Sequence, residues 1–321
     1  MKYTTAYFSG LVEAALADLE YPAGTPRLFE PIRYTLEGGG KRLRPSLLLA
    51  TYAALSHRDA AEVMNQALAV EMFHNFTLLH DDVMDRAELR RGRPTVHVRW
   101  NSNAAILSGD AMLTLSTMLL ARCDSRQLPA LLGLFDTTAM EVYQGQQLDM
   151  EFERRNDVTV NEYLEMIRLK TSVLLACACA MGARLAGAPE KVVNAMYAYG
   201  EDLGLAFQLR DDWLDTYGDA AVFGKEIGGD ILNRKKTWLL ISALGEAPDE
   251  LGGILSEDLD DAELIRQVRG VYDSLDLGAR CCALADRYAA KAVDSLGAVP
   301  LDAPAREFFE KLAAEASRRN H

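Results

Sequence analysis

The sequence predicts an all-α protein, and three observations point that way. Apolar residues recur at helical spacing in one segment after another, and the alternation that marks a β-strand is hard to find. The 10 prolines fall mostly between these apolar-periodic segments. Because 49% of the 321 residues are apolar and 25% are charged, the chain can bury a sizeable core. With no linker rich in serine or proline, we expect a single domain over residues 1–321.

The predicted helices are placed by that spacing, in chain order. A first helix is expected around residues 47–54 and a second around residues 70–77, where apolar side chains repeat at helical intervals. Further helices are expected over residues 104–123, 128–151, 161–187, 191–217 and 280–297. The breaker Gly187-Ala188-Pro189 separates two of them. The acidic, glycine-containing segment 245–262 is expected to be a solvated loop with a short helix.

Charge and cysteine content exclude several classes of function. Lysine plus arginine is 34 and aspartate plus glutamate is 47, which gives a net charge of −13 and argues against a general affinity for nucleic acid or an anionic membrane. The five cysteines show no CxxC spacing, so we expect neither disulfides nor a zinc site, and we expect a reducing, cytoplasmic location. The N-terminus lacks the features of a signal peptide, and no apolar run of about 18 residues predicts a membrane span.

Two copies of an Asp-X-X-X-Asp pattern stand out, each at the end of an apolar-periodic helix. They are formed by Asp81, Asp82 and Asp85 and by Asp211, Asp212 and Asp215. On a helix the first and last aspartates share a face, about 6 Å apart along the axis, and repel each other unless a cation lies between them. Oxygen-only ligands suit Mg²⁺, which is usually held by one or two carboxylates together with substrate phosphates. A solvated acidic face explains one copy about as well. Two copies, on stripes shared with His74, Thr77 and Gln208, favour a lined cavity.

Basic clusters accompany both aspartate motifs. Gly38 to Gly40 precede Lys41 and Arg44; the glycines would permit close approach of a ligand, and a helix from Lys41 onward would aim both cations the same way. The remaining cations are Arg90 and Arg91 after the first motif, Lys225, Lys235 and Lys236 after the second, and Lys170 beside Thr171 at the start of a helix. Any one cluster is more often an exposed basic loop. Together they predict diphosphates held by Mg²⁺ on one side and by lysine and arginine on the other.

These motifs resemble those of the trans-isoprenyl diphosphate synthase (polyprenyl synthetase) family, which includes the short-chain farnesyl and geranylgeranyl diphosphate synthases. The match runs from about residue 28 to 240, with GGGKRLRP at 38–45, EMFHNFTLLHDDVMDRAELRRGRPT at 71–95, GQQLD at 145–149, KT at 170–171, FQLRDDWLD at 207–215 and GKEIGGDILNRKKT at 224–237. The resemblance implies a single helical bundle of the isoprenoid synthase type around a deep central cavity, commonly as a homodimer. It also implies head-to-tail condensation of isopentenyl diphosphate with dimethylallyl, geranyl or farnesyl diphosphate, with release of diphosphate.

The resemblance also implies roles for individual residues. Contacts to isopentenyl diphosphate fall on Lys41, Arg44, His74 and Arg91. Contacts to the allylic diphosphate fall on Arg90, Lys170, Thr171, Gln208, Lys225 and Lys235. The implied ligands of three Mg²⁺ ions, for which Mn²⁺ can substitute, are Asp81, Asp85, Asp211 and Asp215, with Asp82 beside the first pair. The implied catalytic set is Asp81, Asp82, Asp85, Arg90, Lys170, Asp211 and Lys225. Asn233-Arg234-Lys235 stands where many members have Glu-Gly-Lys, so Lys235 is the expected diphosphate contact and Lys236 is the alternative.

Product length is expected to depend on Phe76 and Thr77. In the family, bulky residues at these two positions before the first aspartate motif shorten the product, and small ones at both permit long chains. Here one residue is aromatic and one is small. We therefore expect a product of 15 to 20 carbons, and favour geranylgeranyl diphosphate over farnesyl diphosphate.

Two other interpretations remain to be separated from this one. A class I terpene cyclase shares the fold and the first aspartate motif, but it has no isopentenyl diphosphate site and its second motif normally mixes Asn or Asp with Ser and Glu. A non-catalytic partner subunit on the same fold should have lost an aspartate or arginine from the motifs, and none is lost here. An assay with both diphosphates, with and without Mg²⁺, distinguishes all three.

Overall fold

The protein is described from a computed structural model, which describes residues 3–22, 24–218 and 227–318. In these ranges the helices are α1 (Thr5–Ala17), α2 (Pro26–Leu36), α3 (Leu43–Ser56), α4 (Met64–Met84), α5 (Val96–Arg99), α6 (Ser102–Leu120), α7 (Leu128–Phe152), α8 (Val160–Ile167), α9 (Val173–Leu185), α10 (Glu190–Tyr217), α11 (Gly229–Leu232), α12 (Trp238–Glu246), α13 (Pro248–Ser256), α14 (Asp261–Ser274), α15 (Leu277–Ser295) and α16 (Ala303–Arg318). Two strands, β1 (Leu89–Arg90) and β2 (Arg93–Pro94), pair antiparallel. The all-α prediction is confirmed.

Most predicted helices agree with the observed ones to within a few residues, but the segment around 70–77 is only the middle of the longer α4, and one predicted helix is divided. The segment 161–187 is not a single α-helix, because the π-helical turn Arg168–Ser172 interrupts it and divides it into α8 and α9. The short helix expected within residues 245–262 is α13. Helices α1, α2, α12, α14 and α16 were not predicted from the periodicity.

The chain divides into two compact units. The first comprises Met1–Phe135, Ala178–Asn194 and Pro300–Ala305, and the second comprises Asp136–Cys177, Ala195–Val299 and Arg306–His321. The expectation of a single domain stays a prediction.

Helix α4 is the centre of the first unit. Nearly every residue from Gln66 to Phe76 is buried, and α4 packs most extensively on α6, with α3 and α1 on its other sides. Glycine makes the α4–α6 contact close: a Cβ on Gly109 would overlap the His80 imidazole, whose Nε2 lies 3.0 Å from the Ile106 carbonyl oxygen. The last two turns of α4, which carry the first aspartate motif, are therefore fixed against a rigid neighbour.

Helix α10 belongs to the second unit from Ala195 onward. Its Gly200 and Gly204 have no room for a Cβ, because the backbone of Ala176 and the Ser172 side chain lie against them, so α10 packs closely on the chain around the π-helical turn. Helix α8 begins with a capping box between Thr159 and Glu162. The C-terminal turns of α10, which carry the second aspartate motif, thus have well-packed neighbours as well.

The five cysteines are all free, as the sequence predicts, and three of them are buried. Two helical segments, Ser102–Leu120 and Val160–Leu185, are long and apolar enough to cross a membrane by length and composition. Buried residues make up 83% of the apolar window of the second segment and 39% of that of the first. This is weak evidence for a membrane span, because core helices of globular proteins have the same length and composition.

Candidate active site

The arginine motif after α4 is a tight β-hairpin. Arg90 pairs with Arg93, and the two residues between them, Arg91 (φ 52°) and Gly92 (φ 71°), are both left-handed, which is the backbone of a type I′ turn. Glycine adopts this conformation freely, whereas an L-residue does so at a cost of about 1–2 kcal/mol. The consecutive arginines have different partners: Arg90 donates to Asp82, and Arg91 donates to the Gly39 carbonyl.

A pocket with about 420 Å³ of open space lies beside this hairpin. The predicted site residues in its wall are Asp82, Arg90 and Arg91, and the remaining lining residues are Tyr34, Thr35, Gly38, Asn75, Leu78, Leu79, Arg93, Pro94, Thr95 and Val96. Three arginines on one wall make the pocket suited to an anion.

Arg44 and His74 form a hydrogen-bonded pair in the first unit, and the pKa values of both are lowered. The Nη1 of Arg44 lies 3.2 Å from the Nε2 of His74, and because a guanidinium only donates, His74 accepts and is neutral. Desolvation, followed by the charges of Arg44 and Arg91, lowers the pKa of His74 well below its usual value. Desolvation also lowers the pKa of Arg44 to about 10; the charge of Glu71 opposes this effect and that of Arg91 adds to it. Positive charge is thus concentrated in a desolvated place.

No carboxylate of the described residues contacts Arg44 or Arg91, although the charge of Glu71 acts on both without such a contact. The buried Nε of Arg44 has no hydrogen-bond partner in the described part of the chain. Within the same part of the chain, no carboxylate lies within 4 Å of the guanidinium of Arg44 or Arg91. A buried donor without an acceptor is costly, so the arrangement favours an anionic ligand.

The expectation that one helix carries Lys41 and Arg44 and aims both in the same direction is wrong. Helix α3 begins only at Leu43, after Arg42 in a left-handed conformation (φ 46°), so Lys41 precedes the helix. Arg42 is buried and donates to Glu13 at 2.7 Å and to Glu71 at 2.6 Å, and it therefore anchors the loop. The sequence analysis assigned no role to Arg42. The structure shows that it forms ion pairs with two glutamates.

Gly40 of this loop makes room for a hairpin arginine, and Gly38 lies at ordinary contact distance from another. A Cβ on Gly40 (φ 140°) would lie 2.9 Å from the Nη2 of Arg91. A Cβ on Gly38 would lie 3.5 Å from the Nη1 of Arg93. The close approach that the sequence suggested for a ligand is thus made here by the hairpin arginines, which joins the two basic clusters into one assembly.

The first aspartate motif is tied to Arg90. The Nη2 of Arg90 lies 2.7 Å from the Oδ1 of Asp82 and 3.6 Å from the Oδ2 of Asp81. Asp82 is buried, and burial raises its pKa while Arg90 opposes the rise. Asp85 follows the last residue of α4, and its amide donates to the Asp81 carbonyl, so the helical spacing of the two outer aspartates is kept.

The second aspartate motif lies in a network of neutral donors. Asp212 is buried and accepts from the Tyr163 hydroxyl and, at 3.0 Å, from the Nε2 of Gln208. The hydroxyl of Thr171 donates to the Oε1 of Gln208 at 3.3 Å. Burial, followed by the charge of Asp230, raises the pKa of Asp212 to about 7. The network connects α8, the π-helical turn and α10.

Lys170 is fixed from two sides within the π-helical turn. Its Nζ lies 2.6 Å from the Oδ2 of Asp149, and its backbone packs so closely on Gly145 that a Cβ there would overlap it. Both partners belong to the GQQLD segment of α7. The sequence analysis used this segment as a family landmark and gave its residues no individual role. Its glycine and aspartate lie one helical turn apart, and this spacing could have indicated a shared partner.

The chain after the second motif folds back onto it. The Oδ2 of Asp215 accepts from the amide of Asp230 at 2.8 Å, and the Nζ of Lys235 lies 3.9 Å from the Oδ1 of Asp230. Arg234 has a left-handed backbone (φ 50°), which is the conformation that a glycine in its place would adopt freely. This geometry supports Lys235 rather than Lys236 as the residue on the motif's side. Lys225 lies outside the described residues.

The two residues expected to set product length have different surroundings. Phe76 is buried, with its ring centroid 5.5 Å from that of Phe73 and 4.8 Å from that of His80. Thr77 is half-buried, and its hydroxyl donates to the His74 carbonyl at 2.8 Å. Phe76 is therefore part of an aromatic cluster that shapes one side of α4.

The carboxylates present fit Mg²⁺. In the described ranges no three Asp, Glu, His or Cys side chains converge as a complete metal site. Aspartate pairs at helical spacing supply one or two oxygen ligands each, and Mg²⁺ typically binds to such pairs together with phosphate oxygens.

Comparisons with known proteins agree with this geometry. The profile of the polyprenyl synthetase family matches residues 25–272. The chain is 41% identical over 237 residues to a geranylgeranyl diphosphate synthase of Methanosarcina mazei, covering 73% of each chain. It is 36% identical over 282 residues to a geranylfarnesyl diphosphate synthase of Natronomonas pharaonis, covering 82% of each. A crystal structure of a geranylgeranyl pyrophosphate synthase superposes with a TM-score of 0.93 at 38% identity, covering 99% of both chains.

The fold, the two aspartate motifs and the arginine clusters define a class of enzyme, the trans-prenyltransferases. Within that class, the chain belongs to the polyprenyl synthetase family. The resemblance and the isoprenoid synthase fold predicted from the motifs are therefore confirmed.

Proposed function

We propose that the protein condenses isopentenyl diphosphate head to tail with an allylic diphosphate and releases diphosphate, with geranylgeranyl diphosphate as the product and farnesyl diphosphate as the alternative. One observation carries the proposal: the desolvated Arg44–His74 pair beside Arg91, which concentrates positive charge with no carboxylate of the described residues within 4 Å of either guanidinium. A terpene cyclase, which binds only one diphosphate, has no use for such a site.

Isopentenyl diphosphate would bind to the basic cluster of the first unit. Arg44 and Arg91 supply bidentate donors for its diphosphate, and Lys41 adds a further charge. Neutral His74 accepts from Arg44 and so holds the guanidinium in place. Because this half carries fixed positive charge, its affinity for a diphosphate does not depend on metal.

The allylic diphosphate would be bound through the aspartate motifs and their neighbouring cations. Asp81, Asp85, Asp211 and Asp215 would hold up to three Mg²⁺ ions, or Mn²⁺ in their place, which neutralise charge on the leaving diphosphate. The residues that would orient this diphosphate are Arg90, Lys170, Thr171, Gln208, Lys225 and Lys235. The allylic C–O bond breaks, a C–C bond forms at the double bond of isopentenyl diphosphate, and loss of a proton to the departing diphosphate restores a double bond.

The test is turnover of the purified protein with isopentenyl diphosphate and each allylic diphosphate, with and without Mg²⁺. We expect a prenyl diphosphate product only when both substrates and the metal are present. A terpene cyclase would convert the allylic substrate alone into a hydrocarbon, and a non-catalytic subunit would convert neither. Either result would overturn the proposal.

Product length is tested by two substitutions. Phe76→Ala removes a buried ring and should lengthen the product, whereas Thr77→Phe should shorten it. Chromatography of the dephosphorylated products measures both changes. A wild-type product of 30 carbons or more, or an unchanged length in Phe76→Ala, would contradict the assignment.

We also propose that the protein is a cytoplasmic homodimer that contacts its partner through α6. The exposed side chains Ile106, Leu107 and Met118 on α6 support this, with Leu107 60% exposed. Such apolar exposure on a helix is typical of an interface. Light scattering should give twice the chain mass for the wild type and a monomer for Leu107→Glu. A monomeric wild type, or fractionation with membranes, would contradict the proposal.

A further inference from the structure

Tyr34, on α2, is the centre of an aromatic and arginine cluster. The guanidinium carbons of Arg93 and Arg99 lie 4.0 Å and 4.3 Å from the centroid of its ring. The ring of Trp100 meets it edge-on at 5.2 Å, and the Tyr34 hydroxyl donates to the Pro94 carbonyl at 2.8 Å. These partners belong to the hairpin and to α5, except Trp100, which directly follows α5.

These contacts hold one strand of the hairpin against α2. Arg93 and Pro94 are the whole of β2, so Tyr34 contacts both residues of that strand. The turn between β1 and β2 is where Arg91 has its left-handed backbone. A strained residue keeps such a conformation only when its surroundings enforce it. Tyr34 supplies that enforcement from one side, and the glycine loop after α2 supplies it from the other.

Arg90 has a separate attachment. It donates to Asp82 through both Nε, at 2.8 Å, and Nη2, at 2.7 Å. Loss of the Tyr34 contacts would therefore release Arg91 and β2 more than Arg90.

We propose that Tyr34 is a positioning residue, which sets the guanidinium of Arg91 for the diphosphate of isopentenyl diphosphate without touching the reacting atoms. This inference rests on the function proposed above, since that function gives Arg91 its ligand. It predicts that substitutions of Tyr34 or Arg99 weaken the binding of isopentenyl diphosphate and leave the binding of the allylic diphosphate nearly unchanged.

Arg99 distinguishes positioning from direct contact. Tyr34 lines the pocket and could touch a ligand, whereas Arg99 is exposed and is not among the residues that line it. If Tyr34 acts by holding the hairpin, Arg99→Gln weakens ligand binding although it alters nothing in the pocket wall.

The first measurement is calorimetric binding of inorganic pyrophosphate in the presence of a chelator, so that only the basic cluster contributes. We expect the dissociation constant to rise about fivefold in Tyr34→Leu, which loses the ring contacts and the hydroxyl, and about twofold to threefold in Arg99→Gln. Tyr34→Phe, which loses only the hydrogen bond to Pro94, should show a rise of about twofold. Tyr21→Leu is the matched control, because it removes a similar contact with Arg33 away from the hairpin and should leave binding unchanged.

The second measurement is steady-state kinetics of the same variants. We expect KM for isopentenyl diphosphate to follow the pyrophosphate affinities, while KM for the allylic substrate and kcat change by less than about twofold. Unchanged pyrophosphate affinity in Tyr34→Leu overturns the inference. Weaker pyrophosphate binding in Tyr34→Phe together with unchanged binding in Arg99→Gln also overturns it, because that pattern indicates direct contact between Tyr34 and the ligand. If Tyr34→Leu does not fold, Tyr34→Phe and Arg99→Gln decide in the same way.

The two proposals fail differently. A wild-type protein that binds pyrophosphate but forms no C–C bond overturns the proposed function, and the effect of Arg99→Gln on that binding still decides the role of Tyr34. A protein that makes product with all variants behaving as wild type overturns the positioning role alone.

Discussion

The two aspartate motifs have the same spacing but different chemistry at their middle residue. In the first unit, Asp82 is paired with the guanidinium of Arg90 at 2.7 Å. In the second unit, Asp212 is held by a tyrosine hydroxyl and a glutamine amide, and its pKa rises to about 7. Burial raises the pKa of both carboxyl groups; Arg90 opposes the rise at Asp82, whereas the charge of Asp230 adds to it at Asp212. The motif thus specifies where carboxylates lie, and their neighbours decide which of them carry charge.

The largest effect is expected where the two motifs are alike. Asp81→Ala and Asp211→Ala should each reduce turnover by about three orders of magnitude, because each removes a carboxylate proposed to hold metal. Helix content by circular dichroism should be unchanged, since neither side chain is fully buried. Near-normal turnover in either variant, or full activity in excess chelator, would contradict the metal assignment.

The middle aspartates should respond unequally to the same change. Asp82→Asn replaces a charged partner of Arg90 and should cost about tenfold or more in kcat/KM, as expected for loss of a charge-assisted contact. Asp212→Asn resembles the protonated acid, which burial and the charge of Asp230 favour, and should cost only about twofold to threefold. Kinetics of the two variants side by side provide the measurement. Equal losses would show that the environments do not differ as described.

The two hairpin arginines should divide between the substrates. Arg91→Ala should raise KM for isopentenyl diphosphate, whereas Arg90→Ala, which also leaves Asp82 without its partner, should act on the allylic substrate. Loss of one such contact is worth about 1.5–3 kcal/mol. Initial rates with each substrate varied in turn separate the two. Identical substrate profiles would contradict the division.

The smallest effect is expected in the pH dependence of stability of metal-free protein. The pKa of His74 is lowered in the fold, so the unfolded chain binds more protons and stability falls as the pH drops below 6.5. The pKa of Asp212 is raised from 3.8 to about 7, so the folded state binds the extra proton and stability falls as the pH rises through that range.

Urea denaturation across this pH range measures both contributions. His74→Gln should remove the loss at low pH, and Asp212→Asn should remove the loss on approach to neutral pH. If both variants show the same pH profile of stability, His74 and Asp212 do not cause the losses at low pH and near neutral pH.

Sequence reasoning succeeded where local periodicity and residue type decide the structure. The helices that carry both motifs, the positions of the aspartates and the grouping of Arg90 and Arg91 with Asp82 follow from spacing. It failed where long-range contacts decide. The start of α3 depends on Arg42, whose partners Glu13 and Glu71 are 29 residues away on either side. Asp149 and Tyr163 were missed because their partners are 21 and 49 residues away.

The π-helical turn Arg168–Ser172 also changes how related sequences should be aligned. Such a turn holds one residue more than the α-helical turn that it replaces, so it is equivalent to an insertion within a continuous helix. A relative with one residue fewer here would have its preceding helix rotated by about 100° relative to the following one. In this chain that rotation would carry Tyr163 away from Asp212 without altering any motif. A single-residue gap at this place therefore marks a rebuilt binding site, although an alignment would display it as a minor length difference.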